Sequence, residues 1–600
     1  MEHVTQFLQG VELDTKTAGL LTVAACSVGA LLLLVQKVHT HRDAEDKIRR
    51  ARQHRADTLR RAEQAVLQYK KTHPMTNSAF ILSLSLSELT NKLQDGSLSP
   101  EEVLYCYMEK TLAVNKDLNC CTGILLESFD LVKTVATKKE GLLYGVPVSI
   151  KENFSYKNTD SSCGVIIYLD KPAQKDGVLV EVLKRQGAIP FVKTNVPQTM
   201  LNYECSNPIY GQTVNPHNLK KTCGGSSGGE GALIGGGGSI LGLGSDIAGS
   251  IRIPAAFCGI CAFKPTAGRL SVNGVTPFYR GQKALQSSPG PMARDVESLA
   301  LCMQAFLCDH MFSLDATVPP IPFNMQMYQS AEPLRIGYLE NDGYSEGSPS
   351  MVRGVREVKA LLEKAGHTFV PYTPLEIPYA VNELMTRGAF ADGITTFFEK
   401  ISLCRMIPYC FCFRKGDPVD PILKVQYQVY KLPIWLKKIL SFLVKPVSPR
   451  ISASLNALTG VRSVAEVWKH HAAVEDYIQA TIANWRRYNI DVLLCPMIGP
   501  AYNFLYCGKL NSFLSFTAFY NLLNFPAGVV PVSTVTAEDE EELKHYKGNF
   551  QDLWDRDFKK AVTGGEGLPI AVQCAALPWR DELCLRFMRE VEQVVKQSKK

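Results

Sequence analysis

Four serines and one lysine stand where the sequence could support nucleophilic catalysis. Ser250 lies in the segment 246–252, whose small residues could direct successive backbone N–H groups at a developing oxyanion. Lys151 ends a strongly apolar segment, and a lysine held in apolar surroundings loses its charge and can act as a base. Spacing alone does not choose the nucleophile, so the candidates are Ser226, Ser227, Ser245 and Ser250.

The tract from Gly224 to Gly259 holds thirteen glycines and five serines, a density that lets backbone amides approach a ligand closely. It contains neither the G-x-x-x-x-G-K-[ST] phosphate loop nor a G-x-G-x-x-G frame, so nucleotide binding is disfavoured. Residues 224–228 match G-x-S-x-G, the pattern of an α/β-hydrolase nucleophile. No hydrophobic strand precedes them, which argues against that fold.

The elements that must position these residues alternate between strands and helices. Short buried strands are predicted at 143–150, 187–192, 240–244, 334–339 and 491–494, with helix-length segments between them. The segment Ser99-Pro-Glu-Glu-Val-Leu104 has a capping-box pattern that predicts a helix start. The pattern is that of an α/β protein.

Composition excludes several classes of protein. With 46% hydrophobic and 20% charged residues, the 600-residue chain is neither disordered nor fibrous. A net charge of +7 is mild for this length and does not suggest nucleic-acid binding. The 18 cysteines are scattered, which predicts buried free thiols. Cys258 and Cys261 have C-x-x-C spacing, but no second pair or nearby histidine completes a metal site.

The N-terminal region predicts a membrane anchor. After a tail at 1–16, residues 17–36 carry no charge and are long enough to span hydrocarbon. A cleaved signal peptide is the alternative, but acidic residues outnumber basic ones before the apolar run. Residues 37–74 form a predicted basic helix, either lying along anionic headgroups or serving as a spacer. From Lys37 to Lys71, eleven basic residues against five acidic ones place the body in the cytosol.

A second membrane contact is predicted at residues 397–450. An apolar stripe at helical spacing runs opposite Lys431, Lys438 and Lys445, which is typical of an interfacial helix. Its members are Leu432, Trp435, Leu436, Ile439, Leu440 and Leu443. The alternative is a helix packed in the core. We expect an amphipathic cap that binds membranes.

The runs 224–235 and 242–266 resemble the amidase signature family. The flanking segments 145–152, 193–197, 290–295, 525–531 and 567–573 agree, and the similarity covers about residues 85–590. The resemblance implies a catalytic domain over 75–596, built on a large twisted mixed β-sheet with helices on both faces. It is greatest to the membrane-bound branch of the family.

Carried onto this chain, the resemblance implies a Ser-Ser-Lys triad of Ser250 as nucleophile, Ser226 as bridge and Lys151 as base and then acid. It implies a cis peptide between Gly225 and Ser226. The residues implied for the oxyanion hole and the substrate are Ile247, Ala248, Gly249, Ser250, Met200 and Ser227. Two departures stand out. Ala248 replaces a glycine, which would strain the site if its φ were positive, and Cys223 replaces a proline.

The function implied by the resemblance is hydrolysis of long-chain fatty acid amides, both N-acylethanolamines and primary amides, through an acyl-serine. The expected enzyme is a homodimer without metal or organic cofactor, single-pass in the endoplasmic reticulum or other endomembranes, with its catalytic domain in the cytosol. Its expected partners are the lipid amide and the bilayer, not nucleic acid. Two alternatives remain: an amidase acting on small amides or glutamine, and a catalytically silent membrane scaffold.

Overall fold

The computed structural model describes residues 15–401 and 418–599. Residues 1–14 of the predicted tail and residues 402–417 of the predicted cap lie outside this part of the chain.

An eleven-stranded mixed sheet forms the centre of the molecule, as predicted, with strand order β1-β3-β2-β6-β8-β7-β12-β13-β11-β9-β10. β2 runs parallel to both β3 and β6, and β9 runs parallel to β10 and β11. The other neighbours are antiparallel, and β4 and β5 form a separate hairpin. The strands are β1 Cys121–Ile124, β2 Pro147–Lys151, β3 Ile189–Thr194, β4 Ser206–Asn207, β5 Gly211–Gln212, β6 Leu241–Asp246, β7 Cys261–Lys264, β8 Ser288–Ala293, β9 Arg335–Tyr338, β10 Thr368–Pro371, β11 Val492–Pro496, β12 Ala527–Thr534 and β13 Pro569–Ala576.

The α-helices are α1 Thr15–Thr72, α2 Ser78–Ser83, α3 Leu86–Asp95, α4 Pro100–Leu118, α5 Ser128–Ala136, α6 Val178–Arg185, α7 Gly228–Gly235, α8 Arg252–Cys258, α9 Val296–Phe306, α10 Asp309–Leu314, α11 Met325–Gln329, α12 Pro349–Lys364, α13 Ile377–Tyr379, α14 Arg387–Ala389, α15 Thr395–Ile401, α16 Lys424–Lys431, α17 Ile434–Val444, α18 Pro449–Ala457, α19 Val464–Arg487, α20 Ser515–Leu522, α21 Ala537–Leu543, α22 Leu553–Val562 and α23 Asp581–Ser598. A π-helix, Ala380–Thr386, joins α13 to α14. Short 3₁₀ turns lie at Ile166–Tyr168, Gln198–Met200, Pro421–Leu423, Cys507–Lys509 and Asn511–Leu514.

Helices cover both faces of the sheet, which confirms the predicted layering. On one face, Gly528 of β12 lies so close to α23 that an added Cβ would collide with the Met588 sulfur. On the other face, Gln573 of β13 accepts a hydrogen bond from Arg252 of α8 at 2.7 Å. The predicted capping box is also present, because Ser99 caps α4 and Glu102 bonds back to it.

α1 is one continuous helix of 58 residues, without a break at the predicted boundary between 36 and 37. Its window Thr15–Leu32 is unburied and is long and apolar enough to cross a membrane, as an anchor or a signal sequence would be. Its C-terminal half docks on the body: Arg52 Nε donates to the Ile209 carbonyl at 2.7 Å, and the Ile124 amide donates to Thr58 Oγ1 at 3.2 Å. This half is therefore packed and is not a free spacer.

The predicted amphipathic stripe lies on α17, except for Leu432, which precedes this helix. Leu432, Leu436 and Leu440 are half-buried, whereas Trp435, Ile439 and Leu443 are exposed. Phe442 and Val447 join this outer face, with 77% and 74% of their surface exposed. α17 therefore has an exposed apolar side, and Lys437 is its buried residue.

Every cysteine in the described residues is a free thiol, and most are buried, as the sequence predicts. In the C-x-x-C pair, the Cys258 thiol donates to the Cys223 carbonyl at 3.3 Å, and the Cys261 thiol turns to Glu592 at 3.8 Å. The two sulfurs therefore have separate partners.

Candidate functional site

The ends of two parallel strands bring the candidate base and nucleophile together. β2 ends at Lys151 and β6 ends at Asp246, directly before the segment 247–250. Because β2 and β6 pair in parallel, their carboxyl ends lie at the same edge of the sheet. The parallel pairing of these two strands therefore brings Lys151 and the segment 247–250 to one edge of the sheet.

Lys151 is fully buried and touches only neutral acceptors. Its Nζ donates to Ser226 Oγ at 2.8 Å, to Ser245 Oγ at 3.0 Å and to the Ser245 carbonyl at 3.2 Å. Burial lowers the pKa of Lys151 to about 8, against the opposing effects of Asp246 and other acidic groups. This amine therefore loses its proton more readily than an ordinary lysine, and in its neutral form it can accept a proton.

Ser226 and Ser227 follow the Gly225–Ser226 cis peptide, which the resemblance implied and which the structure contains. Ser227 is tied to the nucleophile segment, because its N–H donates to the Ser250 carbonyl at 3.0 Å. Ser226 and Ser250 line the same cleft, although no hydrogen bond joins their hydroxyls in residues 15–401 and 418–599. The structure thus places Lys151, Ser226 and Ser250 in one site and joins the first two directly.

The segment 247–250 presents backbone amides at this site. Gly249 has φ 121°, whereas Ala248 is not among the described residues with positive φ, so its methyl group causes no backbone strain. The Gly249 amide donates to Asp246 Oδ1 at 2.8 Å. For the amides of Ile247, Ala248 and Ser250, the described chain supplies no acceptor. These three donors remain available for a developing oxyanion.

A buried ion pair holds this segment. Arg252 contacts both carboxylate oxygens of Asp246, each at 3.0 Å, and both side chains are fully buried. Burial alone would raise the pKa of Asp246, but Arg252 holds it well below its usual range. Thr517 Oγ1 fixes the same segment by donating to the Ala248 carbonyl at 2.6 Å.

Two cavities meet at Ser250, Met200 and Ile247. The first, here called the acyl cavity, contacts Ser250 and Ala248. Its wall is mostly apolar and includes Leu285, Val381, Met385, Phe390, Tyr430, Leu458 and Leu514. The second, here called the polar cleft, is lined by Asn153, Ser226, Ser245, Thr276, Arg280 and Lys400, among others. Met200, expected near the substrate, thus lies where the two cavities join.

A family model described as amidase matches residues 102–585. The chain belongs to the amidase signature family. Among curated proteins, this amidase is 47% identical to fatty-acid amide hydrolase 1 of Sus scrofa over 96% of each chain. It is 49% identical to the vitamin D3 hydroxylase-associated protein of Gallus gallus, over 79% of this chain and 99% of that protein. It is 35% identical to fatty acid amide hydrolase 1 of Caenorhabditis elegans, over 94% and 97%.

Solved structures support the fold of this amidase. A structure titled fatty acid amide hydrolase superposes with a TM-score of 0.74 at 22% identity, covering 92% of this chain and 95% of that one. A 6-aminohexanoate cyclic dimer hydrolase gives a TM-score of 0.59 at 18% identity, covering 86% and 97%. The eleven-stranded core is therefore the family's fold, and the chain is a hydrolase of that family related to fatty acid amide hydrolases.

Sequence reasoning missed several residues that build this amidase site. Asp246 and Arg252 flank the nucleophile segment, and a charged pair within a small-residue run was a usable signal. Ser245 was a candidate nucleophile, but here it accepts from Lys151. Thr517 reaches the site only through the fold, and no local pattern marks it.

We expect nucleophile reactivity to rise with pH. Because Lys151 must be neutral to accept a proton, and its pKa is about 8, labelling of Ser250 by a fluorophosphonate should accelerate through pH 8 and level off above it. The measurement is the labelling rate constant from pH 6 to 10. Lys151→Ala should abolish the dependence together with the labelling. A rate that falls with pH across this range would contradict the assignment.

Gly249→Ala should inactivate the site. A Cβ at this position would lie 2.6 Å from Thr517 Oγ1 and 2.8 Å from Ile253 Cδ1, on a backbone with φ 121°. Displacing the segment misaligns its amides, and loss of one oxyanion donor costs about 10²–10³-fold in rate. Amide hydrolysis and circular dichroism of the purified variant provide the measurement. Ala248→Gly is the control and should retain activity; an active Gly249→Ala variant would argue against these donors.

Proposed function

We propose that this protein is a membrane-bound serine amidase that hydrolyses long-chain fatty acid amides, including N-acylethanolamines such as anandamide and primary amides such as oleamide. The observation that carries the proposal is the position of Ser250, which lines both a mostly apolar cavity and the cleft that holds Ser226, the hydrogen-bond partner of the buried Lys151. The mostly apolar wall of this cavity suits a long acyl chain, because burial of the chain's methylene groups is favourable. Similarity to fatty-acid amide hydrolase 1 of Sus scrofa supports the substrate class.

Acylation uses a proton relay through the triad. Neutral Lys151 Nζ takes the Ser226 hydroxyl proton while Ser226 Oγ takes that of Ser250, and Ser250 Oγ bonds to the carbonyl carbon. The carbonyl electron pair moves onto oxygen, where the amides of Ile247, Ala248 and Ser250 stabilise the charge. We leave the Gly249 amide out of this set, because it already donates to Asp246.

Collapse of the tetrahedral intermediate reverses the relay. As the C–N bond breaks, Ser226 donates its proton to the leaving nitrogen and recovers one from the Lys151 ammonium. Amine or ammonia leaves, and the acyl group remains on Ser250 Oγ. Water then attacks the acyl-serine, transfers its proton to Ser250 Oγ and releases the fatty acid.

Membrane attachment follows from two surfaces. The Thr15–Leu32 segment of α1 is proposed to span the bilayer, with the basic helix and the catalytic domain on the cytosolic side. The exposed apolar face of α17 is proposed as a second contact. α16 and α18, which flank α17, also line the acyl cavity through Tyr430 and Ser454, and we propose that a lipid substrate enters the site on this side. The proposal includes a homodimer on endoplasmic reticulum or other endomembranes.

Substrate preference and nucleophile can be tested together. Purified protein should hydrolyse a long-chain fatty amide at least tenfold faster in kcat/KM than a short-chain amide, because only the long chain fills the acyl cavity. Ser250→Ala should abolish both reactions while leaving the fold intact. Product release measured by mass spectrometry provides both rates. Short-chain preference would indicate a small-amide amidase, and an inactive wild type would support the silent scaffold.

Membrane binding should survive loss of the first helix segment. A protein lacking residues 1–40 should still sediment with anionic liposomes, because the α17 face remains exposed. Replacing Trp435, Phe442 and Leu443 with serine in that truncated protein should make it soluble. The same three changes in the full chain form the matched control and should leave it bound. A truncated protein that stays in the supernatant would refute the second contact.

A further inference from the structure

Five amide side chains interrupt the mostly apolar wall of the acyl cavity. They are Asn202, Gln282, Asn382, Gln426 and Asn511. Gln282 exchanges two hydrogen bonds with the backbone of Leu285. Asn382 accepts a hydrogen bond from the Tyr344 hydroxyl and donates one to the Pro378 carbonyl. Both the oxygen and the nitrogen of these two amides therefore have partners within the protein.

The other three amides form a chain of hydrogen bonds. The Glu204 N–H donates to Asn202 Oδ1 at 2.9 Å, and Asn202 Nδ2 donates to Gln426 Oε1 at 3.2 Å. Gln426 Nε2 then donates to Asn511 Oδ1, also at 3.2 Å. Asn511 Nδ2 donates to no acceptor in residues 15–401 and 418–599. Of the five amides, Asn511 is thus the one whose nitrogen has no partner in the described chain.

The backbone of Glu204 fixes the orientation of every amide in this chain. Because a backbone N–H can only donate, Asn202 must turn its oxygen toward Glu204 and its nitrogen toward Gln426. Gln426 accepts through Oε1, so its nitrogen faces Asn511. Turning any one amide around would bring two donors or two acceptors face to face. Asn511 therefore ends the chain as a hydrogen-bond donor.

The chain of amides extends from the catalytic segment to the opening of the acyl cavity. At its inner end, the Asn202 carbonyl would lie 3.2 Å from a Cβ added at Gly225, the residue before Ser226. Asn202 and Gln426 are buried, with 4% and 6% of their surface exposed. Asn511 lines the same cavity but is exposed, so its amide lies where the cavity meets solvent.

We propose that Asn511 Nδ2 donates a hydrogen bond to an acceptor oxygen on the acyl chain of the substrate, such as a keto, epoxide or ether oxygen. This inference rests on the proposed function and deepens it, because it adds oxygenated fatty acid amides to the substrates of the same site. Of the wall's five amides, Asn511 can supply this bond without giving up one within the described chain.

The consequence is that tolerance of an oxygen depends on its position along the acyl chain. An oxygen that lies against the apolar wall loses its hydrogen bonds to water and gains none, which is unfavourable. An oxygen that reaches Asn511 exchanges a bond to water for a bond to the amide. Because water also solvates the exposed Asn511, this exchange should rescue an oxygenated substrate without making it better than the plain one.

The test measures kcat/KM for octadecanamide and for a series of oxo-octadecanamides, in which one keto group is moved carbon by carbon along the chain. Most positions should lower kcat/KM about tenfold relative to the plain amide, and one position or two adjacent positions should lower it less than about threefold. Asn511→Asp still accepts from Gln426 but has no N–H, so the tolerated position should lose about fivefold relative to the plain amide. Asn511→Leu, which adds no charge, should have the same effect.

Asn456→Asp is the matched control. Asn456 is an exposed asparagine of α18 that lines neither the acyl cavity nor the polar cleft. The substitution makes the same chemical change close to the cavity-lining Ser454 without removing a donor from the cavity. Its profile along the chain should match that of the wild type. The rate with plain octadecanamide, expected within about twofold of wild type in all three variants, shows that each variant is folded.

A tolerated position that is present in the wild type and Asn456→Asp but lost in both Asn511 variants supports the inference. A wild-type profile without such a position overturns it, as does a tolerated position that survives in the Asn511 variants or is lost equally in Asn456→Asp. These results leave the proposed function standing if the wild type hydrolyses octadecanamide and Ser250→Ala does not. Wild-type protein that fails to hydrolyse octadecanamide overturns the proposed function and this inference with it.

Discussion

The site depends on a lysine that is buried without a carboxylate to hold its charge. The Lys151 amine contacts only hydroxyl and carbonyl oxygens, from Ser226 and Ser245, and this environment favours the neutral form. Glu230 is a nearby acid that could pair with Lys151, because its carboxyl lies close enough to raise the pKa of Lys151. Burial raises the pKa of Glu230 to about 8, while Ser149 and Thr194 donate hydrogen bonds to it. The nearby acid is thus bonded to hydroxyls instead of pairing with the base.

Glu230 also connects the segments that carry Ser226 and Lys151. It lies in the first turn of α7, directly after Ser226 and Ser227, and it is bonded to side chains of β2 and β3. Thr194 is the register partner of Lys151 between those strands. The helix that follows Ser226 is therefore tied to the strand pair that carries Lys151, which holds the two side chains at hydrogen-bond distance.

The segment 247–250 is held by a charged pair, in contrast to the uncharged partners of Lys151. Asp246 stays ionised because Arg252 pairs with it, and Arg252 in turn donates to Thr517, Asn521 and Gln573 from two other elements. A buried pair of this kind contributes little net stability, but removing one partner leaves an uncompensated charge and costs about 3–5 kcal/mol. Its effect here is to fix backbone donors before the substrate arrives, so no reorganisation is needed during reaction. The same edge of the sheet therefore holds Lys151, whose pKa is lowered, and Asp246, whose carboxylate stays ionised.

The sequence predicted the parts of this site that depend on local pattern. The strands ending near Lys151 and Asp246 follow from short apolar runs, and the Gly/Ser tract marks the segment 224–259. Thr517 could not be predicted, because its role arises from a contact with Ala248, 269 positions away. The packing of α1 on the body could not be predicted from the sequence pattern either. A charged residue such as Arg52 is expected to face solvent, and only the structure shows that it donates to a backbone carbonyl.

α17 shows how a buried polar group can determine the outer surface of a protein. Lys437 is 2% exposed, and its amine donates to the Tyr430 carbonyl at 3.1 Å, in the last turn of α16, where the helix dipole favours a cation. With this lysine turned inward, the opposite side of the helix presents Trp435 and Phe442 outward, 63% and 77% exposed. In water this inverted arrangement leaves apolar area unburied, at about 25 cal/mol per Å². Contact with a bilayer would recover that free energy, so the proposed membrane contact explains why the helix tolerates a buried lysine beneath an apolar surface.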